Sequence, residues 1–183
     1  MVKTLFWIIV LSWMTLDLWV LLGKNQNLHQ IVDRRSKFVV MVCIGSGVIL
    51  AILPRDFRLT WQIRTAFNPV QQLGIGLMIA GVSLRLIAIL TLGKYFTPDI
   101  AIAENHKLVR KGVYRLIRHP SYTGEFLAFG GAALVFWHFP SSLFIFFLPF
   151  LGFLYRASLE ERKLLECFGE EYREYMSKTR RFI

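Results

Sequence analysis

The stretch "KGVYRLIRHPSYTGEF", residues 111–126, changes character in its middle. Its first half carries Lys111, Arg115 and Arg118; its second half runs directly into the apolar segment Thr123–Phe139. Pro120 marks the switch. Proline suits the first position of a helix, where its missing N–H costs nothing. A helix is therefore expected to begin near Pro120–Ser121, with His119 just outside it. Downstream, Pro140 is followed by a second apolar run, Ser141–Tyr155, so the two form a tight helical hairpin at "WHFPSS". Upstream lie three more apolar runs, Thr4–Leu22, Phe38–Leu53 and Pro69–Leu92. A membrane span needs about 20 apolar residues, and shorter runs are tolerated. The second and fifth runs are short and need flanking residues to complete a crossing.

The chain has 183 residues, 55% of them hydrophobic, which exceeds the apolar share of an ordinary soluble domain. In lipid every backbone polar group must be satisfied within its own segment, so helices are expected. The fold class is therefore all-α: a polytopic membrane protein with about five transmembrane helices and a helical C-terminal tail. Residues 1–183 read as one membrane domain, with three spans in 1–92 and the loop, hairpin and tail in 93–183. The first run is too long for a cleaved leader, is interrupted by Asp17, and lacks a small-residue cleavage site after it, so it is expected to be a retained helix.

A net charge of +10 raises the question of nucleic acid, but its distribution answers otherwise. With five spans, 17 Lys and Arg fall on one side of the membrane and 4 on the other; Arg85 lies inside the third span. Such a bias orients a membrane protein. It predicts an outside N-terminus and a cytoplasmic C-terminus, with residues 111–119 also cytoplasmic, facing anionic lipid. Cys43 and Cys167 suit neither a disulfide framework nor a metal site.

The tail from Arg156 holds 13 charged residues among 28, too many for a sixth span. Leu159, Leu164, Leu165 and Phe168 recur at helical spacing, Gly169 is a helix stop, and Glu170–Met176 is a second short helix. Glycines such as Gly74, Gly76, Gly81, Gly130 and Gly131 are expected to let spans pack closely, not to cradle phosphate.

Several polar residues are candidates for chemistry. Tyr114 and Tyr122 read equally as interfacial aromatics, and Arg115 and Arg118 as topology-setting charges. Glu125, a carboxylate within an apolar run, requires a partner or a role, as do Asp17 and Arg85. The start of the fourth span offers free N–H groups and a positive dipole end. Arg156 shares a helix face with Glu160. Either they form a surface ion pair, or they are a cation and a carboxylate held at the membrane edge beside His119–Tyr122.

These motifs, "HKLVRKGVYRLIRHPSYTGE", "R-x-x-x-E-E" and "FGEEYREYM", resemble the isoprenylcysteine carboxyl methyltransferase family, within a wider group that includes phospholipid methyltransferases. The resemblance covers His106 to Met176. It implies S-adenosylmethionine as methyl donor, bound from the cytosol by the last two helices and the tail. By position it implies donor binding by His106, Lys107, Leu108, Val109 and Tyr114, by His119, Pro120, Ser121 and Tyr122, and by Glu160 with its neighbour Glu161. It gives Arg156 the role of orienting the substrate carboxylate. The implied acceptor is an amphipathic, lipid-tailed molecule or lipopeptide, with neither nucleic acid, metal nor an obligate protein partner. Methyl transfer to a carboxylate needs no base, so positioning and water exclusion are the tasks left to the protein. Three alternatives are N-methylation of a phosphatidylethanolamine-type lipid, an NADPH-dependent sterol-type reductase sharing an "RHxxYxG" stretch, and a non-catalytic scaffold.

Overall fold

The computed structural model describes residues 2–22, 28–33, 35–52, 68–103, 108–136 and 139–183. Among them are six α-helices: α1 (Val2–Leu22), α2 (Arg35–Ile52), α3 (Pro69–Leu92), α4 (Pro120–Phe136), α5 (Phe139–Phe168) and α6 (Glu170–Lys178). The five apolar runs thus correspond to α1 to α5, and the protein is an all-α membrane protein in class. Three helical stretches are long and apolar enough to cross a membrane on their own: Thr4–Leu22, Pro69–Tyr95 and Phe139–Phe168. The other two, α2 and α4, have 18 and 17 residues. At 1.5 Å per residue they reach only the lower end of a bilayer core of about 30 Å.

The second run makes a short helix, as expected. The fifth gains its length from residues flanking the apolar run, also as expected, while the shortness of the fourth was not anticipated. No helix boundary falls at Arg156; α5 continues to Phe168 in one piece. A change from apolar to charged side chains alters which medium a helix meets, not whether its backbone stays helical. Gly169, at φ 52°, then ends α5 in a conformation that disfavours a side chain. The second tail helix follows directly as α6.

α4 can be short because it sits at the centre. Ala128, Ala132 and Val135 are buried, and Phe129 meets Trp13 of α1 edge-on at 4.6 Å. By contrast, Leu11, Met14, Leu18 and Trp19 of α1 and Met41 and Ile49 of α2 are exposed, an apolar surface suited to lipid. Glycine sets the α3–α4 seam. A methyl at Gly74 would lie 2.6 Å from the Gly131 carbonyl oxygen, and one at Gly124 would lie 2.6 Å from that of Gly81. The two contacts are seven residues apart on each helix, so the backbones touch along two turns. Gly76 has open space at its missing side chain, so its small size is not used in this way.

Among the described residues, a two-stranded ribbon departs from helix altogether. Strand β1 (Leu28–Asp33) pairs antiparallel with β2 (Ile100–Ala103), joining the loop before α2 to the loop after α3. Beside this ribbon, Lys37 pairs with Asp99 at 2.7 Å.

Candidate functional site

The start of α4 is held from two directions. His119 caps it, its carbonyl accepting from the Thr123 N–H at 2.9 Å and the Thr123 hydroxyl at 3.1 Å. The chain's own C-terminal segment then pairs alongside. The Arg118 N–H donates to the Arg180 carbonyl at 2.8 Å, the His119 N–H to the Arg181 carbonyl at 3.3 Å, and the Arg180 N–H to the Leu116 carbonyl at 3.1 Å. The amides of residues 118 and 119, just outside the helix, are thus taken by this tail. Phe182 completes the clasp, with its ring 5.7 Å from His119 and 5.2 Å from Phe126.

Glu161 ties the clasp together. Its Oε1 lies 3.0 Å from Arg118 Nε and 3.2 Å from His119 Nε2, and its Oε2 lies 3.1 Å from Arg181 Nε. Arg118 also donates through Nη1 to the carbonyls of Met176 at 3.0 Å and Thr179 at 2.5 Å. Read in sequence as a topology charge, Arg118 is a mostly buried cross-link between α4, α5 and the tail. Nothing local in the sequence marks this, because its partners lie 43 to 61 residues away.

Next to the clasp opens a cavity of about 230 Å³. Leu108, Val109, Tyr114, His119, Ser121, Tyr122, Arg156 and Glu160 line it, whereas Pro120 and Glu161 do not. His106 and Lys107 lie outside the described residues. The sequence reading omitted Tyr172 and Tyr175 on the same wall, although both belong to the quoted "FGEEYREYM". Tyr175 donates its hydroxyl to the Tyr114 carbonyl at 2.6 Å, tying α6 to the loop before α4. Burial pushes the Tyr175 phenol up to about 12, and it raises Tyr114 and Tyr172 as well, so all three stay neutral at physiological pH.

Arg156 and Glu160 form no simple surface pair. Tyr122 stands between them, donating its hydroxyl to Glu160 Oε2 at 2.8 Å and accepting from Arg156 Nε at 2.8 Å. Arg156 further donates to the Pro98 carbonyl at 2.7 Å and to the Ser36 hydroxyl at 3.5 Å. Its side chain is buried, and these described partners are all neutral oxygens. The Tyr122 ring stacks on His119 with centroids 5.4 Å apart. One wall of the cavity therefore presents a guanidinium, a stacked aromatic pair and a carboxylate within a single linked set.

A model of the isoprenylcysteine carboxyl methyltransferase (ICMT) family matches residues 74–166, just over half of the chain. The chain belongs to this family. Protein-S-isoprenylcysteine O-methyltransferase B of Arabidopsis thaliana is 35% identical over 112 residues, 60% of this chain and 57% of that one. The protein-S-isoprenylcysteine O-methyltransferase of Schizosaccharomyces pombe is 32% identical over 122 residues, covering 66% and 52%. That of Saccharomyces cerevisiae is 40% identical over 110 residues, covering 58% and 46%. The match thus spans about half the length of these relatives. The family match contains α4, Arg156 and Glu160; Tyr172, Tyr175 and the clasping residues 179–182 lie beyond it.

Proposed function

We propose that this ICMT-family chain is a membrane methyltransferase that uses S-adenosylmethionine to O-methylate the carboxylate of an isoprenylcysteine-like or other lipid-tailed acceptor. The observation that carries the reading is Arg156: a buried guanidinium on the cavity wall whose described partners are neutral. Glu160 and Asp99 act on its charge from nearby, but no carboxylate among the described residues accepts a hydrogen bond from it, and a carboxylate entering the cavity takes that place. The planar fork of arginine suits that ligand geometrically.

The residues also fit the donor. When bound, it supplies a methyl group on a sulfonium, and that methyl's bond to sulfur breaks as its bond to a carboxylate oxygen forms. The stacked His119–Tyr122 pair and Tyr114 offer aromatic faces to a cation. Glu160 accepts from an ammonium or ribose hydroxyl, and Leu108 and Val109 bound an apolar edge. His106 and Lys107 precede them directly in the chain and belong to the same proposed segment. Pro120 acts by starting α4, and Glu161 by fixing His119. Arg156 orients the anionic acceptor, and the enclosing helices exclude water from a reaction that annihilates charge.

The orientation we infer has the N-terminus outside and the site on the cytoplasmic face. It is supported by the cation bias and by the cavity lying at the end of α4 that follows Arg115 and Arg118. The acceptor's tail enters between α1 and α2, where Leu21 and Met41 line the cavity and are also exposed toward lipid.

Detergent-purified protein given labelled S-adenosylmethionine and a prenylated cysteine acid is expected to yield a methyl ester, releasing volatile methanol in mild alkali. An alkali-stable methylated product, or absence of both transfer and donor binding, rules the reading out.

A further inference from the structure

Besides Arg156, a second ionic group faces the same cavity. Arg85 of α3 brings together two carboxylates from two other helices. Its Nε lies 2.8 Å from Asp17 Oδ1 and 2.7 Å from Glu125 Oε1, and its Nη2 lies 2.7 Å from Asp17 Oδ1. Its Nη1 donates to the Ser121 hydroxyl at 2.9 Å. Trp13 Nε1 adds a longer contact to Glu125 Oε1 at 3.4 Å. All three nitrogens of the guanidinium are committed, and so is one oxygen of Glu125.

The other oxygen is not. Glu125 is 1% exposed, it lines the cavity, and its Oε2 has no hydrogen-bond partner among the described residues. A buried carboxylate oxygen left bare is costly. Two carboxylates share one guanidinium, so the group favours a hydrogen-bond donor over an acceptor. The surrounding wall argues for what brings that donor. Val20, Leu21, Met41 and Ile44 line the same cavity, are apolar, and belong to α1, the helix of Asp17, and to α2; Leu21 and Met41 are also exposed toward lipid.

We propose that Glu125 is a second recognition point for the methyl acceptor. Its Oε2 takes an N–H, from an amide or an amine, on the same molecule whose carboxylate meets Arg156. Arg85 and Asp17 are the positioning residues that aim it. The inference rests on the proposed carboxyl methylation and makes Glu125 the residue that favours, among its acceptors, those with an N–H near the carboxylate.

The test compares two acceptors with equal tails: N-acetyl-S-farnesylcysteine, which carries the N–H, and S-farnesyl-3-mercaptopropionate, which lacks it. Glu125→Gln is the informative variant. Arg85 and Trp13 require an oxygen on their side, so the glutamine turns its NH2 toward the cavity and meets the acceptor donor to donor. KM for the N–H acceptor should rise about ten- to a hundredfold. KM for the other acceptor and the affinity for S-adenosylhomocysteine should stay within about twofold of wild type. Equal losses on both acceptors, or no loss on either, overturn the proposal, as does a fall in S-adenosylhomocysteine affinity. If wild type methylates neither acceptor, the functional reading itself fails, a result separable from the behaviour of Glu125→Gln.

Discussion

Two ionic networks lie at either end of the first two turns of α4, and they are built to opposite specifications. Around Glu161, Arg118, His119 and Arg181 contact both carboxylate oxygens, and Arg118 has carbonyls left over to bind. Around Arg85, two carboxylates compete for one guanidinium, and an oxygen of Glu125 is left facing the cavity. A network whose carboxylate meets cations at both oxygens holds chain segments together, although Arg181 Nε itself makes no hydrogen bond among the described residues. A network that leaves a buried group bare holds the protein ready for something else, at a cost in stability. The same residue types thus serve as clasp in one place and as receptor in the other.

The sharpest way to break this comparison is to cut the clasp. Arg118→Ala removes the donors to Glu161, Met176 and Thr179, leaving a mostly buried carboxylate short of a partner and the tail unpinned. Breaking a buried pair from one side destabilises by about 3–5 kcal/mol. The melting temperature in detergent should fall steeply. Glu161→Ala should cost a similar amount, and the double variant less than the two added together, because each single change already disables the network. An Arg118→Ala protein that melts like wild type would mean that the clasp does not hold the fold.

What could be read in the sequence follows the same division. Local signals were legible: Pro120 starting α4, Gly169 ending α5, the short helix after it, and the five apolar runs. That spans would pack closely was legible too, from Gly74, Gly81 and Gly131; that the seam joins α3 to α4 and also uses Gly124 was not. Features made by distant partners were not. Asp17 and Arg85 stood out as charges in apolar runs, yet nothing local pairs residues 68 positions apart. The β1–β2 ribbon joins two loops across α2 and α3, and the pairing of Ile117 with Arg180 joins the α4 entrance to the tail. Arg118 was concealed by company, since a structural cation among topology-setting cations has no sequence mark of its own. Arg156 and Glu160 were correctly put on one helix face, but Tyr122, from a different helix, stands between them.

A smaller change sharpens the receptor side. Tyr122→Phe keeps the ring on His119 and removes the hydroxyl between Arg156 and Glu160. Arg156 loses its Nε acceptor and gains freedom to turn, while Glu160 loses a donor. A hydrogen bond to a charged group contributes about 1.5–3 kcal/mol. The proposed methyl transfer should therefore fall by about tenfold or more in kcat/KM, whereas the melting temperature should move far less than in Arg118→Ala. If stability falls as far as in Arg118→Ala, the hydroxyl belongs to the clasp and the division between the two regions fails.

The smallest effect expected is at Asp33, at the edge of the receptor side. Its carboxylate accepts from the Arg35 N–H at 2.8 Å and the Ser36 N–H at 3.0 Å, closing the first turn of α2. The Ser36 side chain and then the two amides outweigh burial and hold the Asp33 carboxyl below the usual carboxylate range. The sign follows from linkage. The folded state favours the ionised form, so the contribution is complete above the unfolded-state value of about 4 and disappears as pH falls through the lower folded value. Asp33→Ala should cost about 1 kcal/mol at neutral pH, as the loss of a helix cap does. That difference from wild type should be flat from pH 7 to about 5 and shrink below about 4. Ser36 also meets Arg156, so a gap that persists unchanged into acid would locate the loss in the Ser36–Arg156 contact, and not in the charge of Asp33.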